Sequence, residues 1–139
     1  MSLKDLNLPA KRVKVLCVGL RKNDRCDDPS LLLKFFEGTR FGFVFVETLE
    51  KAKKKLANKI PFAVILTERY IGREVSWKDV LRISGKSKVV VAYRRPSDEL
   101  WLEVLKAGGY NLIHSRDLQE RETCRTLVMA GEDFKNAKE

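Results

Sequence analysis

Arginine residues are concentrated where the apolar runs of the chain end. Glu68 and Arg69 follow the third apolar run, and the adjacent pair Arg94-Arg95 follows the fourth. Guanidinium groups present a planar fork of N–H donors that matches the oxygens of phosphate or carboxylate. If these runs are strands ending at one edge of a sheet, Arg69, Arg94 and Arg95 predict an anion-accepting pocket. Alternatively, they are solvated loop charges, or they neutralise Glu68 internally.

Residues suited to nucleophilic or metal chemistry are few. The single histidine, His114, ends the fifth apolar run beside Ser115, and no nucleophile motif surrounds it. The three cysteines, Cys17, Cys26 and Cys124, include no CxxC pair, and no glycine-rich phosphate loop is present. We therefore predict no catalytic residue, no metal site and no cofactor, and a protein that is not an enzyme.

The chain carries an excess of positive charge. Its 139 residues include 28 Lys and Arg against 19 Asp and Glu, a formal charge of +9. This balance excludes an acidic disordered tail and an acidic calcium buffer. The densest basic patch, Lys51–Lys55, falls on a predicted helix and is suited to phosphate contacts. Because aromatic residues and RNA-binding loops are missing around it, we do not expect nucleic acid as a partner.

Apolar run length and cysteine usage bear on the compartment. No run approaches the roughly 20 residues that a membrane helix needs. Three widely spaced cysteines do not form the framework of a disulfide-stabilised secreted protein. The prediction is a cytoplasmic protein without membrane contact.

Five short apolar runs must position the side chains named above. Most are rich in Val, Ile or Phe, and at least three are nearly continuous, as in strands covered on both faces of a parallel sheet. Their starts lie 21 to 28 residues apart, which leaves room for one helix and two loops in each interval. The runs are Val13–Leu20, Phe41–Val46, Phe62–Thr67, Val89–Tyr93 and Tyr110–His114.

Helix-capping signals occupy the intervals between the runs. Ser76 is followed three residues later by Asp79, which resembles a capping box, and other Ser, Thr or Asp residues precede each further helix. The predicted caps are Asp28, Thr48, Ser76, Ser97 and Asp117. The alternation predicts an α/β fold, (βα)5, in a three-layer α/β/α sandwich. Its five-stranded parallel sheet has the order 2-1-3-4-5, and one domain spans residues 1–139 with its core at about 12–130.

From Arg12 to Ala130 the chain resembles the receiver domain of bacterial response regulators. In the stretch VVVAYRRPSDELWLEVLKAGGYNLI (Val89–Ile113), an apolar strand precedes a helix ending in Ala-Gly and then a short strand. The segment PFAVILTE (Pro61–Glu68) is similar to the third receiver strand, which often follows proline. The resemblance implies a chemotaxis-type, flavodoxin-like fold and a role in two-component phosphorelay signalling.

The resemblance also implies that the phosphorylation site has been replaced. Receivers phosphorylate an aspartate at the end of strand three, beside Mg²⁺ held by an acidic pair after strand one. A Thr or Ser after strand four and a Lys after strand five contact the phosphoryl group. Here the acceptor position falls on Thr67, or on Glu68 after a one-residue slip. The other positions fall on Gly19, Leu20, Ala92 and Ser115, which implies a pseudo-receiver without aspartyl phosphorylation.

The fourth predicted helix has an apolar arc wider than the usual stripe of roughly 100°. Leu100 and Val104 share one face, Trp101 adjoins it, and Leu102 lies outside it. In receivers this helix, the fifth strand and the fifth helix form the surface for dimers and partners. The resemblance therefore implies a protein partner or a homodimer contacting Trp101, Leu102 and Tyr110, with core packing of these residues as the alternative.

The leading prediction is thus an atypical receiver-like signal-transduction domain that acts through protein contacts without phosphorylation. One alternative is a flavodoxin-like domain that binds a small anionic ligand or a nucleotide. Another is a conventional phosphorylated receiver with a different alignment, and a third is a nucleic-acid-binding regulator.

Overall fold

Strands and helices alternate along the chain in the computed structural model, which describes residues 12–21, 28–58, 61–116, 118 and 121–137. The strands are β1 (Val13–Val18), β2 (Phe41–Val46), β3 (Val64–Glu68), β4 (Lys88–Tyr93) and β5 (Asn111–His114). The helices are α1 (Ser30–Phe35), α2 (Leu49–Leu56), α3 (Trp77–Ile83), α4 (Asp98–Lys106) and α5 (Arg121–Ala137).

The strands form one parallel sheet in the order β2-β1-β3-β4-β5. The predicted (βα)5 fold and strand order are therefore confirmed. Because the strands are parallel, their carboxyl ends lie at one edge of the sheet, where ligands of this architecture bind. The predicted anion-binding arginines follow β3 and β4 at that edge, and the positions that the receiver resemblance assigns to phosphorylation chemistry lie at the ends of β1, β3, β4 and β5.

Successive side chains of each strand feed two separate cores, one on each face of the sheet. On one face, Val15 and Leu66 pack with Leu32 of α1 and Leu127 of α5. The other face packs against α2, α3 and α4. Its fully buried members include Leu16, Ile65, Ala52, Val80 and Val104. This layering explains why the strands read as continuous apolar runs.

Capping side chains begin three of the helices as predicted. Thr48 and Ser97 each accept the N–H of the residue three positions on, at 3.2 and 3.1 Å. The Ser76–Asp79 pair forms a capping box, in which the Asp79 carboxylate accepts the Ser76 N–H at 2.9 Å. The first and fifth helices differ. Asp28 accepts the N–H of Ser30 at 3.0 Å without being the residue next to the helix, and Asp117 lies outside the described residues.

Strand boundaries differ from the prediction by one or two residues. β1 ends at Val18 rather than Leu20, because Gly19 turns the chain with a φ of +74°. β3 continues to Glu68, since this residue still pairs with Ala92 of β4. Tyr110 precedes β5, although its N–H donates to Val89 at 2.7 Å. The shift makes Glu68 a strand residue rather than a loop residue.

Candidate functional site

The carboxyl edge of the sheet brings together the residues that the receiver resemblance assigns to phosphorylation chemistry. Thr67 lies opposite Val18 of β1 and Val91 of β4, and Glu68 lies opposite Ala92. By strand alternation, Thr67 faces the core of α2, α3 and α4, whereas Glu68 faces the α1 and α5 side. The two alternative acceptor positions therefore point to opposite faces of the sheet.

Thr67 is closed off from solvent. Its side chain has no exposed surface, and its hydroxyl donates to the carbonyl oxygen of Glu68 at 3.0 Å. Glu68 is itself buried, with 6% of its surface exposed. A hydroxyl in this position is engaged in an internal hydrogen bond and offers no surface to a phosphoryl donor.

The positions of the acidic pair provide no metal ligand. Gly19 has no side chain, its N–H donates to Val46 at 2.9 Å, and a Cβ there would meet Ile71 at 3.3 Å. Leu20 is 5% exposed and belongs to the core on the α1 side. Mg²⁺ requires oxygen ligands, so these residues do not fit the metal that receivers use. Among the described residues, no group of three or more His, Cys, Asp or Glu side chains is placed to hold a metal ion.

The remaining two phosphoryl-contact positions are also enclosed. Ala92 is fully buried and presents only a methyl group, in the core that α1 and α5 cover. Ser115 is fully buried as well, and its N–H donates to the carbonyl oxygen of Tyr93 at 3.0 Å. Neither side chain supplies the positive charge of a lysine.

The three predicted anion-binding arginines lie in different surroundings. The guanidinium of Arg69 lies 5.0 Å from the ring centroid of Tyr70 and 4.7 Å from that of Tyr93, as in cation–π contacts. Arg94 has a buried Nε without a hydrogen-bond partner in the described part of the chain. Arg95 is exposed. Arg69 is thus held by aromatic stacking, which the residue spacing did not reveal, and a shared anion site remains a prediction.

A cleft of about 440 Å³ opens at the carboxyl ends of β1 and β3. Arg21 and Arg73 line it together with Glu68, and the β3–α3 loop forms one wall. The sequence prediction did not select these two arginines. A usable signal was present, since Arg21 directly follows the two positions where receivers carry acids. The lining residues are Gly19, Arg21, Glu68, Tyr70, Ile71, Gly72 and Arg73.

Large apolar side chains are exposed on the surface formed by α4, β5 and α5, named here the α4–β5–α5 face. Trp101 is 42% exposed and Leu102 is 46% exposed. Leu105 on the same helix and Met129 on α5 are exposed too. These exposures fit the predicted partner face better than core packing.

Hydrogen bonds hold the α4–β5–α5 face in place. The indole Nε1–H of Trp101 donates to Asn111 Oδ1 at 3.0 Å, and Asn111 Nδ2 donates to Thr126 Oγ1 at 3.2 Å. Asn111 therefore links all three elements. Tyr110, also predicted for this face, is partly buried and donates its hydroxyl to Asp133. Burial and this hydrogen bond raise the pKa of Tyr110 to about 12.

The lysine-rich face of α2 is exposed as predicted. Lys51, Lys53, Lys54 and Lys55 all face solvent, while Ala52 is buried. Three of these lysines lie in the last turn, where positive charge interacts favourably with the helix dipole. The positive charges in the last turn therefore stabilise the helix. No helix of the described residues combines the length and apolar character needed to cross a membrane.

Comparisons with solved structures find receiver domains. The receiver domain of NtrC4 from Aquifex aeolicus is 19% identical, with a TM-score of 0.65, and the match covers 88% of this chain and 98% of that one. A two-component response regulator from Clostridium difficile is 20% identical, with a TM-score of 0.67 and coverage of 90% and 99%. The beryllofluoride-activated NtrC4 receiver domain dimer is 20% identical, with a TM-score of 0.62 and coverage of 87% and 98%.

These identities establish a shared fold and nothing finer. No protein-family model matches the chain, and no curated protein does. The chain therefore has the fold of receiver domains.

Proposed function

We propose that this chain is an atypical receiver-like signalling domain that works without aspartyl phosphorylation, through contacts with proteins. In this proposal it is a single non-enzymatic domain of the cytoplasm, with residues 1–139 forming one unit around a core at about 12–130. The observation that carries the proposal is the enclosed Thr67. Its side chain has no exposed surface, and its hydroxyl is engaged by the Glu68 carbonyl.

The chemistry of the surrounding positions supports the same proposal. Aspartyl phosphorylation needs an accessible carboxylate as nucleophile and positive charge to stabilise the transferred group. Gly19 and Leu20 supply no carboxylate, and Ala92 and Ser115 supply neither a lysine nor an exposed hydroxyl. The cations at this edge include Arg21 after β1, Arg69 after β3 and the exposed Arg116 beside Ser115, and none of them occupies the lysine position itself. At each of these positions, the residue present fails to supply a different group that aspartyl phosphorylation requires.

The signalling output in this proposal uses the α4–β5–α5 face. Exposed Trp101 and Leu102 supply aromatic and aliphatic contact area, which protein interfaces bury at their centres. The NtrC4 receiver domain, which has the same fold, forms a dimer when activated by beryllofluoride. We therefore assign this face to a protein partner or a second copy of the chain.

Treatment with acetyl phosphate and Mg²⁺, followed by intact-mass measurement, tests the absence of phosphorylation. We expect no mass increase, while a conventional receiver treated in parallel gains one phosphoryl group. A gain of one phosphoryl group by this chain would contradict the proposal and favour the alternative of a conventional receiver. Peptide mapping would then separate phosphorylation at Glu68 from phosphorylation of a carboxylate in residues 22–27.

A second candidate function is binding of a small anionic ligand in the cleft of β1 and β3. The favouring observation is that two arginines, Arg21 and Arg73, line a cleft of about 440 Å³. Titration with inorganic phosphate, followed by amide chemical shifts, tests this function. Saturable shifts confined to Gly19–Arg21 and Gly72–Arg73 that are lost in Arg73→Ala, and kept in the control Arg82→Ala, would support it. Shifts spread over all basic residues would contradict it.

A further inference from the structure

Among the described residues, strand β2 has a neighbour on one side only, because it lies at the edge of the sheet. Val13 donates its N–H to Arg40 at 2.8 Å, and Gly19 donates to Val46 at 2.9 Å. In a parallel ladder both main-chain groups of every second residue face the same neighbour. The even-numbered residues of β2 therefore bind β1. The main-chain groups of Phe41, Phe43 and Phe45 face away from the sheet.

The outward edge of β2 is available for further pairing. The N–H of Phe41 donates to Thr39 Oγ1 at 3.3 Å. This N–H is therefore already used, and the open part of the edge begins after Phe41. In the described ranges, no hydrogen bond engages the outward main-chain groups of Phe43 or Phe45. Two N–H groups and two carbonyls therefore form a short row that an additional strand can bind.

The composition of β2 does not protect this edge. Natural edge strands commonly carry lysine, proline or a bulge that prevents pairing with another chain. The sequence of β2, FGFVFV, has six residues without a charge or a proline. The rings of Phe43 and Phe45 stack at 6.5 Å, and Phe45 and the neighbouring Leu33 of α1 are 36% and 48% exposed. A strand added here buries these side chains as well as the edge.

The charges that flank β2 identify the occupant. Arg40 precedes the strand and Glu47 follows it, and both are exposed. Neither forms an ion pair with another described residue. An antiparallel copy of the same strand places each arginine beside a glutamate, whereas a parallel copy places like charges together. Charge complementarity thus favours a second copy of this chain about a two-fold axis.

We propose that β2 pairs antiparallel with β2 of a second copy, so that two sheets join into one continuous sheet. Val44 then lies opposite Val44 of the second copy, and Phe43 exchanges main-chain hydrogen bonds with the second copy's Phe45. On one face the phenylalanine rings form cross-strand pairs. Arg40 lies within one residue of Glu47 of the second copy. This interface is at the sheet edge opposite β5, so it does not depend on the proposed partner face.

Charge-reversal variants test the pairing by sedimentation equilibrium of the full chain. We expect a dimer for the wild type and a dissociation constant roughly tenfold higher for Arg40→Glu or Glu47→Arg, since each variant places like charges at both ends. The double variant restores the dimer. An equimolar mixture of the two single variants restores it as well, because each copy then carries one sign of charge.

Proline at an outward position tests the main-chain pairing separately. Phe45→Pro removes an N–H that β1 does not use, and edge strands tolerate such a proline. Phe45→Thr is the matched control, because it removes the ring and keeps the N–H. We expect Phe45→Pro to weaken the dimer further than Phe45→Thr, while circular dichroism shows that both variants fold.

Four results would overturn the proposal. The first is a wild type that stays monomeric at the highest concentration reached. The second is a dimer unaffected by both single charge reversals. The third is a dimer that these variants leave intact but Leu102→Asp dissociates, since the second copy then binds the α4–β5–α5 face. Binding of an unrelated extended peptide in place of a second copy would also contradict it.

Discussion

The carboxyl edge of the sheet and the α4–β5–α5 face reverse the usual distribution of polar and apolar side chains. At the edge, Thr67 and Ser115 are fully buried. On the face, Trp101 and Leu102 are more than two-fifths exposed. The two hydroxyl side chains are enclosed, whereas the two large apolar side chains reach solvent. Within one fold, the two regions therefore expose opposite kinds of side chain.

The two regions also differ in what holds them in place. Thr67 is fixed by the strand register, since neighbours on both sides pair with β3. Trp101 is fixed by the amide of Asn111, a single side chain on β5. A substitution at the edge therefore disturbs the core, whereas a substitution on the face disturbs a local contact. This difference sets the size of the effects expected from mutation.

The largest effect is expected from Thr67→Asp, which places the residue type of a receiver at the acceptor position. At pH 7 a buried carboxylate without a metal or a cationic partner costs about 3–5 kcal/mol of unfolding free energy. The exposed substitution Leu102→Asp costs about 0.5 kcal/mol or less. Urea denaturation of both variants measures the difference between the two regions.

The variant Thr67→Val is the matched control for the buried charge. It keeps the volume of the side chain and removes the hydroxyl that donates to Glu68, so a loss of about 1 kcal/mol is expected. If Thr67→Asp were as stable as Thr67→Val, the acceptor position would be open to solvent or neutralised nearby. In either case, the carboxyl edge would no longer differ from the α4–β5–α5 face in how strongly it resists a charged side chain.

Much of the fold could be predicted from residue order. The spacing of the apolar runs and the local capping signals at Thr48, Ser76 and Ser97 are short-range features, and the hydrogen bonds of these caps are present. The strand order was predicted as the one that chains with five alternating strands and helices commonly adopt. The end of β3 was missed because Glu68 is charged and reads as a loop residue, whereas its main chain still pairs with Ala92.

The site was less predictable because its contacts are long-range. Stacking of Arg69 on Tyr93 joins the loop after β3 to the end of β4, which are distant in sequence, so local residue spacing did not reveal it. The cleft likewise depends on the approach of Ile71 to Gly19. Exposure of Trp101 and Leu102 could be anticipated from the wide apolar arc of α4, which one flat sheet cannot cover. The open edge of β2 could be recognised only from the strand order and the hydrogen-bond pattern between β1 and β2 together.

An intermediate effect is expected from Asn111→Ala, which breaks the link between α4, β5 and α5. The variant loses the hydrogen bonds to Trp101 and Thr126, and a loss of about 1–2 kcal/mol is expected because the site is partly buried. We expect the indole of Trp101 to become more mobile. Fluorescence anisotropy in a Trp77→Phe background measures this mobility.

The variant Asn111→Asp distinguishes the effect of the hydrogen-bond acceptor at residue 111 from the effect of the surrounding packing. Its carboxylate keeps the acceptor for Trp101 and for the N–H of Leu112, which donates at 2.8 Å. We expect the anisotropy of Trp101 in this variant to stay close to the wild-type value. Equal loss of anisotropy in both variants would mean that packing alone, rather than the Asn111 acceptor, orients the indole.

The smallest effect is expected at the ion pair that joins α3 to α4 behind the exposed face. Lys78 Nζ lies 2.8 Å from Glu103 Oε1, and both side chains are about half exposed. The hydrogen bond from Lys78 lowers the pKa of Glu103 below its ordinary value of 4.5, with a smaller contribution from the charge of Arg69. Solvent screening limits such an exposed pair to about 0.2–1 kcal/mol.

The pH dependence of this pair has a definite sign. Because the pKa of Glu103 is lower in the folded state, its stabilisation is present above the unfolded-state value of 4.5 and is lost as pH falls through the folded-state value. Glu103→Gln should therefore be less stable than the wild type at pH 7 and equally stable in strong acid. Urea denaturation at both pH values, repeated in high salt, measures this. A difference that persisted in acid would assign the effect to packing of the Glu103 side chain, and the face would then depend on apolar contacts alone.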